Sequence, residues 1–283
     1  MIQLSHVKKN YPAFTLDIET LNVQPGRITG LVGANGSGKT TTFKLLTQLA
    51  RPDAGTLTLF DRDIHELSVA DKQKIGVVFN DSGFQETLTP KDVEAILAAF
   101  FLRFEKSRFE SLLRTLEVPM NKKIQEFSTG MKVRLKIAAA ISHDPDLLIL
   151  DEPTSGLDVI ARRQIHELLQ TYMENENHAI LISSHIASDL EDLCDDFYVI
   201  HAGIPVLHET VQRLKDEYGI LHLNEAQFQA LDRTAAIAWE KKRDGADVLV
   251  SDRAFYEENM PGIVCDNGNI DDLLVIMEKG ERA

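Results

Sequence analysis

Short, nearly unbroken apolar runs alternate along the chain with stretches in which apolar residues return every three or four positions. This rhythm predicts a mostly parallel sheet covered by helices. Arg27–Val32, Ile75–Phe79, Leu147–Leu150 and Ala179–Ser183 read as buried strands. Thr56–Phe60, behind the turn-like Arg51-Pro52-Asp53-Ala54-Gly55, predicts an antiparallel edge piece, and Phe197–Ile200 with Ile204–Leu207 flank His201-Ala202-Gly203 as a hairpin. Lys39–Leu49 predicts a helix with Phe43, Leu45, Leu46 and Leu49 mostly to one side. Between Asn80 and Ser128 the pattern turns helical. Thr89-Pro90-Lys91-Asp92 is a capped start, with Thr as cap and Pro in the first turn. The helical stretches Lys91–Phe104, Lys106–Leu116 (ended by Pro119) and Lys132–Ser142 then form an insertion over about 81–143. After about Thr210 a smaller pattern follows: Ile220–Leu223, a helix near Glu225–Leu231, two strands around Asp244-Gly245, Ile263–Cys265 and a helix over Ile270–Glu278. The expected organisation is a main α/β domain over 1–209 and a small α+β appendage over 210–283, with Trp239 in the appendage core.

Candidate chemistry sits at the ends of these strands. Gly33-Ala34-Asn35-Gly36-Ser37-Gly38-Lys39-Thr40 reads G-x-x-x-x-G-K-T between a predicted strand and a predicted helix, the context in which this pattern cradles phosphate. Glycines let successive backbone N–H groups turn toward one anion, and the helix N-terminus adds partial positive charge. Lys39 would reach β- and γ-phosphates and the Thr40 hydroxyl would ligate Mg²⁺. Leu147-Leu148-Ile149-Leu150-Asp151-Glu152-Pro153 is an apolar strand ending in two acids. There Asp151 would hold Mg²⁺ and Glu152 would polarise an attacking water as general base. Phe127-Ser128-Thr129-Gly130-Met131 opens a helix, with Ser128 as its cap and Gly130 permitting close backbone approach.

Composition narrows the classes. The 283 residues, 43% of them hydrophobic and 26% charged, suit a globular protein with one large domain or a core plus an appendage. No apolar run approaches the roughly 18 residues of a membrane span, and the first residues lack the apolar core of a secretory signal. Cys194 and Cys265 fit a reducing compartment better than a disulfide framework. A net charge of −14 argues against a general nucleic-acid binder. Apart from His185, neither the histidines nor the two cysteines show metal-ligand spacing, so no metal beyond Mg²⁺ is expected.

Taken in order, these motifs resemble those of ABC-type ATPases, the nucleotide-binding subunits of ATP-binding-cassette transporters, over residues 2 to about 210. The resemblance implies an α/β fold: a P-loop NTPase (ABC ATPase) core with an antiparallel β edge and a helical subdomain, here followed by the α+β appendage. It implies ATP and Mg²⁺ as ligands and ATP hydrolysis as the activity. It places Tyr11 where the family stacks an aromatic on adenine, with Phe14 as second choice. Ser128 and Gly130 fall in the family's signature motif and would face a γ-phosphate held by a partner subunit. Ser155-Gly156-Leu157-Asp158 matches the loop that crosses the dimer interface, and His185 matches the switch histidine. Nucleotide contacts are thus expected from Tyr11, the loop Gly33 through Thr41, Ser128, Gly130 and Asp158. Lys39, Asn80, Glu152 and His185 are expected to be catalytic, and Thr40, Asp151 and Asn80 to face the metal.

The chain departs from the family at two places. Asn80 stands where a glutamine is usual, which shortens the reach by about 1.5 Å. Ser128-Thr129-Gly130-Met131 replaces Ser-Gly-Gly-Gln. Both predict altered kinetics rather than loss of function. The resemblance further implies a homodimer or a pair with a related cassette, a polytopic permease partner, and a cytoplasmic location at the inner face of the cell membrane. The signature phrase, Asn80 and the tail resemble cassettes of ABC-2-type exporters, which handle drugs, peptides, lipids or polysaccharides. A soluble ABC ATPase without a membrane partner is the alternative. An inactive cassette would carry damage at Lys39, Glu152 or His185, and all three are intact. Phe79, Phe84, Phe100, Phe101, Phe104 and Phe109 crowd the region in which the family receives a permease helix. Phe100, Phe101 and Phe104 cannot all face inward on one helix without a wide apolar stripe, so at least one of them is a candidate docking residue.

Overall fold

The structure, a computed structural model, describes residues 1–232, 236–260 and 262–282. It opens on a long hairpin, β1 (Ile2–Tyr11) and β2 (Phe14–Val23), followed by β3 (Ile28–Val32) and α1 (Lys39–Leu46). β4 (Ala54–Leu59), β5 (Arg62–Asp63) and α2 (Val69–Lys72) lead to β6 (Ile75–Val78). The insertion then contributes α3 (Pro90–Phe100), α4 (Lys106–Thr115) and α5 (Thr129–Ile141). The core resumes with β7 (Leu147–Asp151), α6 (Val159–Tyr172), β8 (Ala179–Ser183), α7 (Ala187–Leu193), β9 (Asp196–His201) and β10 (Ile204–Thr210). α8 (Val211–Glu217), β11 (Gly219–Asn224), α9 (Glu225–Ala230), β12 (Ala236–Lys242), β13 (Gly245–Val250), α10 (Arg253–Asn259), β14 (Val264–Asn267), α11 (Ile270–Lys279) and β15 (Glu281–Arg282) complete it.

The central sheet runs β10-β9-β3-β8-β7-β6, parallel except for β10, which turns back on β9. Its inner strands are buried along their whole length, and their side chains alternate between two cores. From β7, Leu147 and Ile149 join one core with Phe43, Leu45 and Leu46 of α1 and the antiparallel sheet β2-β1-β4-β5. Leu148 and Leu150 join the other with Leu135, Ile137 and Ala138 of α5, Ile165 and Leu169 of α6 and Leu190 of α7. The β1–β2 hairpin lies outside the predicted strands. β1 pairs with β4 through a bulge between Ser5 and Lys8, with His6 at φ 51°, so its buried set slips from Ile2 and Leu4 to Val7 and the alternation breaks.

Two predicted helices end early. α1 stops at Leu46 because Gln48 takes φ 60° and the Thr47 hydroxyl bonds back to Phe43 O at 2.8 Å; Leu49 is left 67% exposed rather than on the buried side. α3, capped by Thr89 as expected and closed by Asp92 accepting the Thr89 N–H at 2.8 Å, stops at Phe100 rather than Phe104. The Gln73 side-chain amide takes over the backbone there, donating to Phe100 O at 3.1 Å and accepting Leu102 N–H at 3.1 Å. Phe101, now extended, stacks on His143 with ring centroids 3.9 Å apart.

Residues 219–282 form an antiparallel sheet of order β14-β11-β13-β12-β15. One face buries Leu221, Leu223, Val248, Val250 and Trp239 against Phe228 of α9 and Tyr256 of α10. From the other face, Ile220, Ala238 and Leu249 join Leu273, Ile276 and Met277 of α11 in the same core as Leu190 and Leu193 of α7. Polar links reinforce that junction: Glu191 accepts the Ile270 N–H at 2.6 Å and His201 pairs with Glu278 at 2.8 Å.

His222 on β11 bridges its two neighbours, facing Asp247 at 2.7 Å and Asp266 at 3.1 Å, with Lys242 and Glu240 beyond. Burial opposes its charge, but the two carboxylates prevail and raise its pKa. Its contribution to stability is therefore complete below the unfolded value of about 6.5 and lost as pH rises through the higher folded value. We expect His222→Gln to lower the melting temperature clearly at about pH 5.5 and much less at about pH 9. A loss independent of pH, read by thermal denaturation, would contradict the bridge.

Candidate nucleotide site

The phosphate loop leaves the carboxyl end of β3. The Asp151–Glu152 pair ends β7, His185 follows β8, and Asn80 follows β6. In the order β3-β8-β7-β6 these strands are neighbours, so four loops distant in sequence open on one crevice, where parallel α/β sheets bind ligands. The crevice has a volume of about 780 Å³ and is lined by Phe14, Asn35, Gly36, Gly38, Lys39, Thr40, Thr41, Asn80, Asp151, Glu152 and His185, with Ala13, Asp81 and Ser155.

The loop geometry requires glycine at two positions in particular. Gly33 has φ 152°, and a Cβ there would lie 2.2 Å from Ile200 O; Gly38 has φ 120°, and its Cβ would lie 2.7 Å from Leu16 Cδ1. α1 begins at once on Lys39 with no side-chain cap, which leaves its first N–H groups facing the crevice. Ser37 Oγ is buried and has no hydrogen-bond partner, an orphan polar atom in the loop. Lys39 Nζ, with its residue only 5% exposed, donates to Gly33 O at 2.6 Å and Ala34 O at 3.1 Å. Burial lowers its pKa, and the charges of Glu152 and Asp151 act against that shift. A buried ammonium folded onto loop carbonyls beside unpartnered donors is a setting that a phosphate oxygen would complete.

The acid side is equally organised. Asp151, 3% exposed, accepts the Thr40 hydroxyl at 2.9 Å on Oδ2 and the Ser183 hydroxyl at 2.7 Å on Oδ1. A hydroxyl and a carboxylate in contact are the hard oxygen donors that Mg²⁺ takes, so this set fits that cation. Glu152 occupies the left-handed region at φ 52°, unusual for a residue with a side chain. Its N–H is held by Ser183 O at 3.2 Å and Ser183 Oγ at 3.1 Å, which turns the side chain toward His185. The carboxylate meets His185 Nδ1 and accepts the His185 N–H at 3.1 Å. Ser183 thus braces both acids. Its position beside Ser184 and His185 is plain in the sequence, but this role is not, because the partners lie on the neighbouring strand.

The remaining expected contacts sit apart. Tyr11 is at the tip of the β1–β2 hairpin, 41% exposed and outside the crevice lining, under the Lys9 ammonium. Phe14 lines the crevice wall, its ring centroid 6.4 Å from that of Tyr11. Asn80 is exposed at the rim, and Lys136 of α5 donates to Phe79 O at 3.0 Å and Asn80 O at 3.1 Å. Ser128 caps α5 by accepting the Met131 N–H at 3.2 Å, and Asp158 caps α6 by accepting the Ala161 N–H at 2.8 Å. Neither they nor Gly130 line the crevice of their own chain; a Cβ on Gly130 would lie 3.4 Å from Leu157 Cδ2, beside the Asp158 loop.

Comparison with known proteins agrees with this arrangement. Residues 16–155 match the family model described as ABC transporter. The chain is 38% identical over 206 residues to the bacitracin transport ATP-binding protein BcrA of Enterococcus faecalis, covering 72% of this chain and 67% of that one. It is 35% identical over 208 residues to the Nod factor export ATP-binding protein I of Burkholderia pseudomallei, covering 71% and 68%. Among solved structures, an ATP-binding subunit of an ABC transporter superposes with a TM-score of 0.68 at 26% identity, over 76% of this chain and 92% of that one. A dimeric ATP-binding cassette bound to ADP and Pi shares the fold, with a TM-score of 0.66 at 22% identity, over 75% and 99%. A cassette fold, a phosphate loop and an acid pair at the mouth of one parallel sheet, and this degree of identity lead to one conclusion: the chain belongs to the ABC transporter family, as an ATP-binding and ATP-hydrolysing subunit.

Proposed function

We propose that this chain energises an exporter from the cytoplasmic face of a membrane, working as a pair of cassettes docked on a permease. The observation that carries the reading is the divided site. Lys39, Thr40, Asp151, Glu152 and His185 share one crevice, whereas Ser128, Gly130 and Asp158 lie outside it on the same chain. A second copy or a related cassette, placed head to tail, would bring its own signature helix to the γ-phosphate. Residues 1–209 would form the cassette and 210–283 an accessory unit.

In this reading Lys39 and the loop N–H groups bind the phosphates of ATP, and Phe14 or Tyr11 meets the base. Thr40 and Asp151, with Asn80 at the rim, would hold Mg²⁺, which when bound draws charge from the β- and γ-phosphate oxygens. Glu152 takes a proton from water as its oxygen attacks the γ-phosphorus, and the bond to the bridging oxygen breaks. His185 keeps the Glu152 carboxylate in place and reaches toward the γ-phosphate. The similarity to bacitracin and Nod factor transport proteins supports a cargo among drugs, peptides, lipids and polysaccharides.

Among the described residues no helix is long and apolar enough to cross a membrane, so attachment would run through the partner. A groove of about 330 Å³ between the insertion and the core is lined by Val77, Phe84, Leu97, Phe101, Ala140 and His143, among others. Phe100 and Leu102 stand beside Phe101, 72% and 90% exposed, whereas Phe79 and Phe109 are core residues. We expect Phe84→Glu and Phe100→Glu to release the chain from membranes while ATP affinity stays within about twofold. Full retention of both variants in the membrane fraction would count against docking at this groove.

A further inference from the structure

We propose that Asp189 is a positioning residue for hydrolysis, holding the Glu152 loop and the His185 segment in register through Thr154. The inference rests on the roles given above to Glu152 and His185. Thr154 lies two residues after Glu152, and Asp189 lies four residues after His185, in the first turn of α7. Both are nearly excluded from water, at 1% and 2% exposure. The Thr154 hydroxyl donates to Asp189 Oδ2 at 2.6 Å. The other oxygen, Oδ1, faces two groups of α6, Arg162 Nε at 3.4 Å and His166 Nε2 at 3.7 Å.

A carboxylate in such a place is costly unless it is paired and hydrogen-bonded, and here it is held from two sides. What it joins is informative. Glu152 and His185 meet at the front through the carboxylate, the imidazole and the His185 N–H. Thr154 and Asp189 meet at the back. The two contacts close a ring through the backbone, with Pro153 stiffening the short arm and the first turn of α7 forming the other. Without the rear contact, the left-handed Glu152 keeps its Ser183 bonds and its front contact with His185, but nothing in the ring then ties the segment that carries His185 to the Glu152 loop from behind. Arg162 extends the ring to α6, whose capping residue is Asp158.

The test is Thr154→Val in the full chain, a change that keeps the shape and removes the donor. We expect kcat for ATP hydrolysis to fall about tenfold while KM and ATP affinity move less than about twofold, because the displaced groups act on the reacting water rather than on nucleotide binding. Thr154→Ser restores the hydroxyl and should recover kcat to within about twofold. Asp189→Asn should slow turnover similarly, and the double variant should be no slower than the slower single, as for two ends of one contact. A merely structural contact would lower the melting temperature and leave kcat alone. If Thr154→Val does not fold, Thr154→Ser and Thr154→Cys, alike in size, make the same comparison. Wild-type kcat in Thr154→Val, or a loss that Thr154→Ser does not repair, overturns the proposal. Glu152→Gln, measured alongside, separates the two levels. A normal rate there removes the base assignment, whereas a slow Glu152→Gln with a normal Thr154→Val removes only the positioning role.

Discussion

Glu152→Gln will bind ATP with little change and hydrolyse it at least about a hundredfold more slowly than the unaltered chain, the usual worth of a positioned general base. The amide keeps the size of the carboxylate and can still accept the His185 N–H, which the carboxylate takes at 3.1 Å. It cannot take a proton from water. The backbone at Glu152 is held independently of the side chain, by Ser183 O and Ser183 Oγ, so the loop should keep its shape. Bound ATP that is not consumed should also hold two copies together, and the variant should elute as a dimer with Mg-ATP where the unaltered chain returns to monomer. Steady-state phosphate release and light scattering read both effects, and hydrolysis at the wild-type rate would remove Glu152 from the base role.

Lys39→Ala acts earlier, on binding. The ammonium is buried and already turned onto Gly33 O and Ala34 O, so little ordering remains when phosphate arrives. Losing a charge-assisted contact of this kind costs about 1.5–3 kcal/mol, or roughly 10- to 150-fold in ATP affinity. Asp151 and Glu152 then face the phosphates without a nearby lysine charge, which pushes the loss toward the upper end. Burial has lowered the pKa of Lys39, so affinity should decline earlier on the alkaline side than an ordinary lysine would dictate, as the neutral amine forms. Titration calorimetry compares the two proteins directly. Equal affinities would mean that the side chain stays on its own loop when nucleotide binds.

What could be read in the chain divides by the range of the interaction. Gly33 through Thr40 is a local device, since a turn too tight for side chains leading into a helix is written in eight adjacent residues. The strands that carry the other loops were legible because burial on both faces leaves an unbroken apolar run, as in Leu147–Leu150. The brace of Ser183 on Asp151 and the contact of Thr154 with Asp189 span more than thirty residues, and no local pattern encodes which hydroxyl meets which acid. Boundaries failed where a side chain replaced the backbone's own bonding: Gln73 stops α3 from outside the helix. Strands β11 to β14, α9 and α11 fall where expected, whereas α8 and α10, seven residues each, are too short to show a period, and α11 and α7 share one core only because of the face that each presents. The helical spacing of Ile270, Leu273 and Met277 marks an apolar face without saying where it will land.

Co-purification of the tagged chain from native membranes, with and without ATP, decides most directly whether this cassette drives a permease. A stoichiometric multi-span membrane protein is expected in the eluate, and it should be lost on Phe100→Glu. Recovery from the soluble fraction alone, with ribosomes, nucleic acid or nothing attached, would contradict the exporter reading and identify the chain as a cassette that works without a permease.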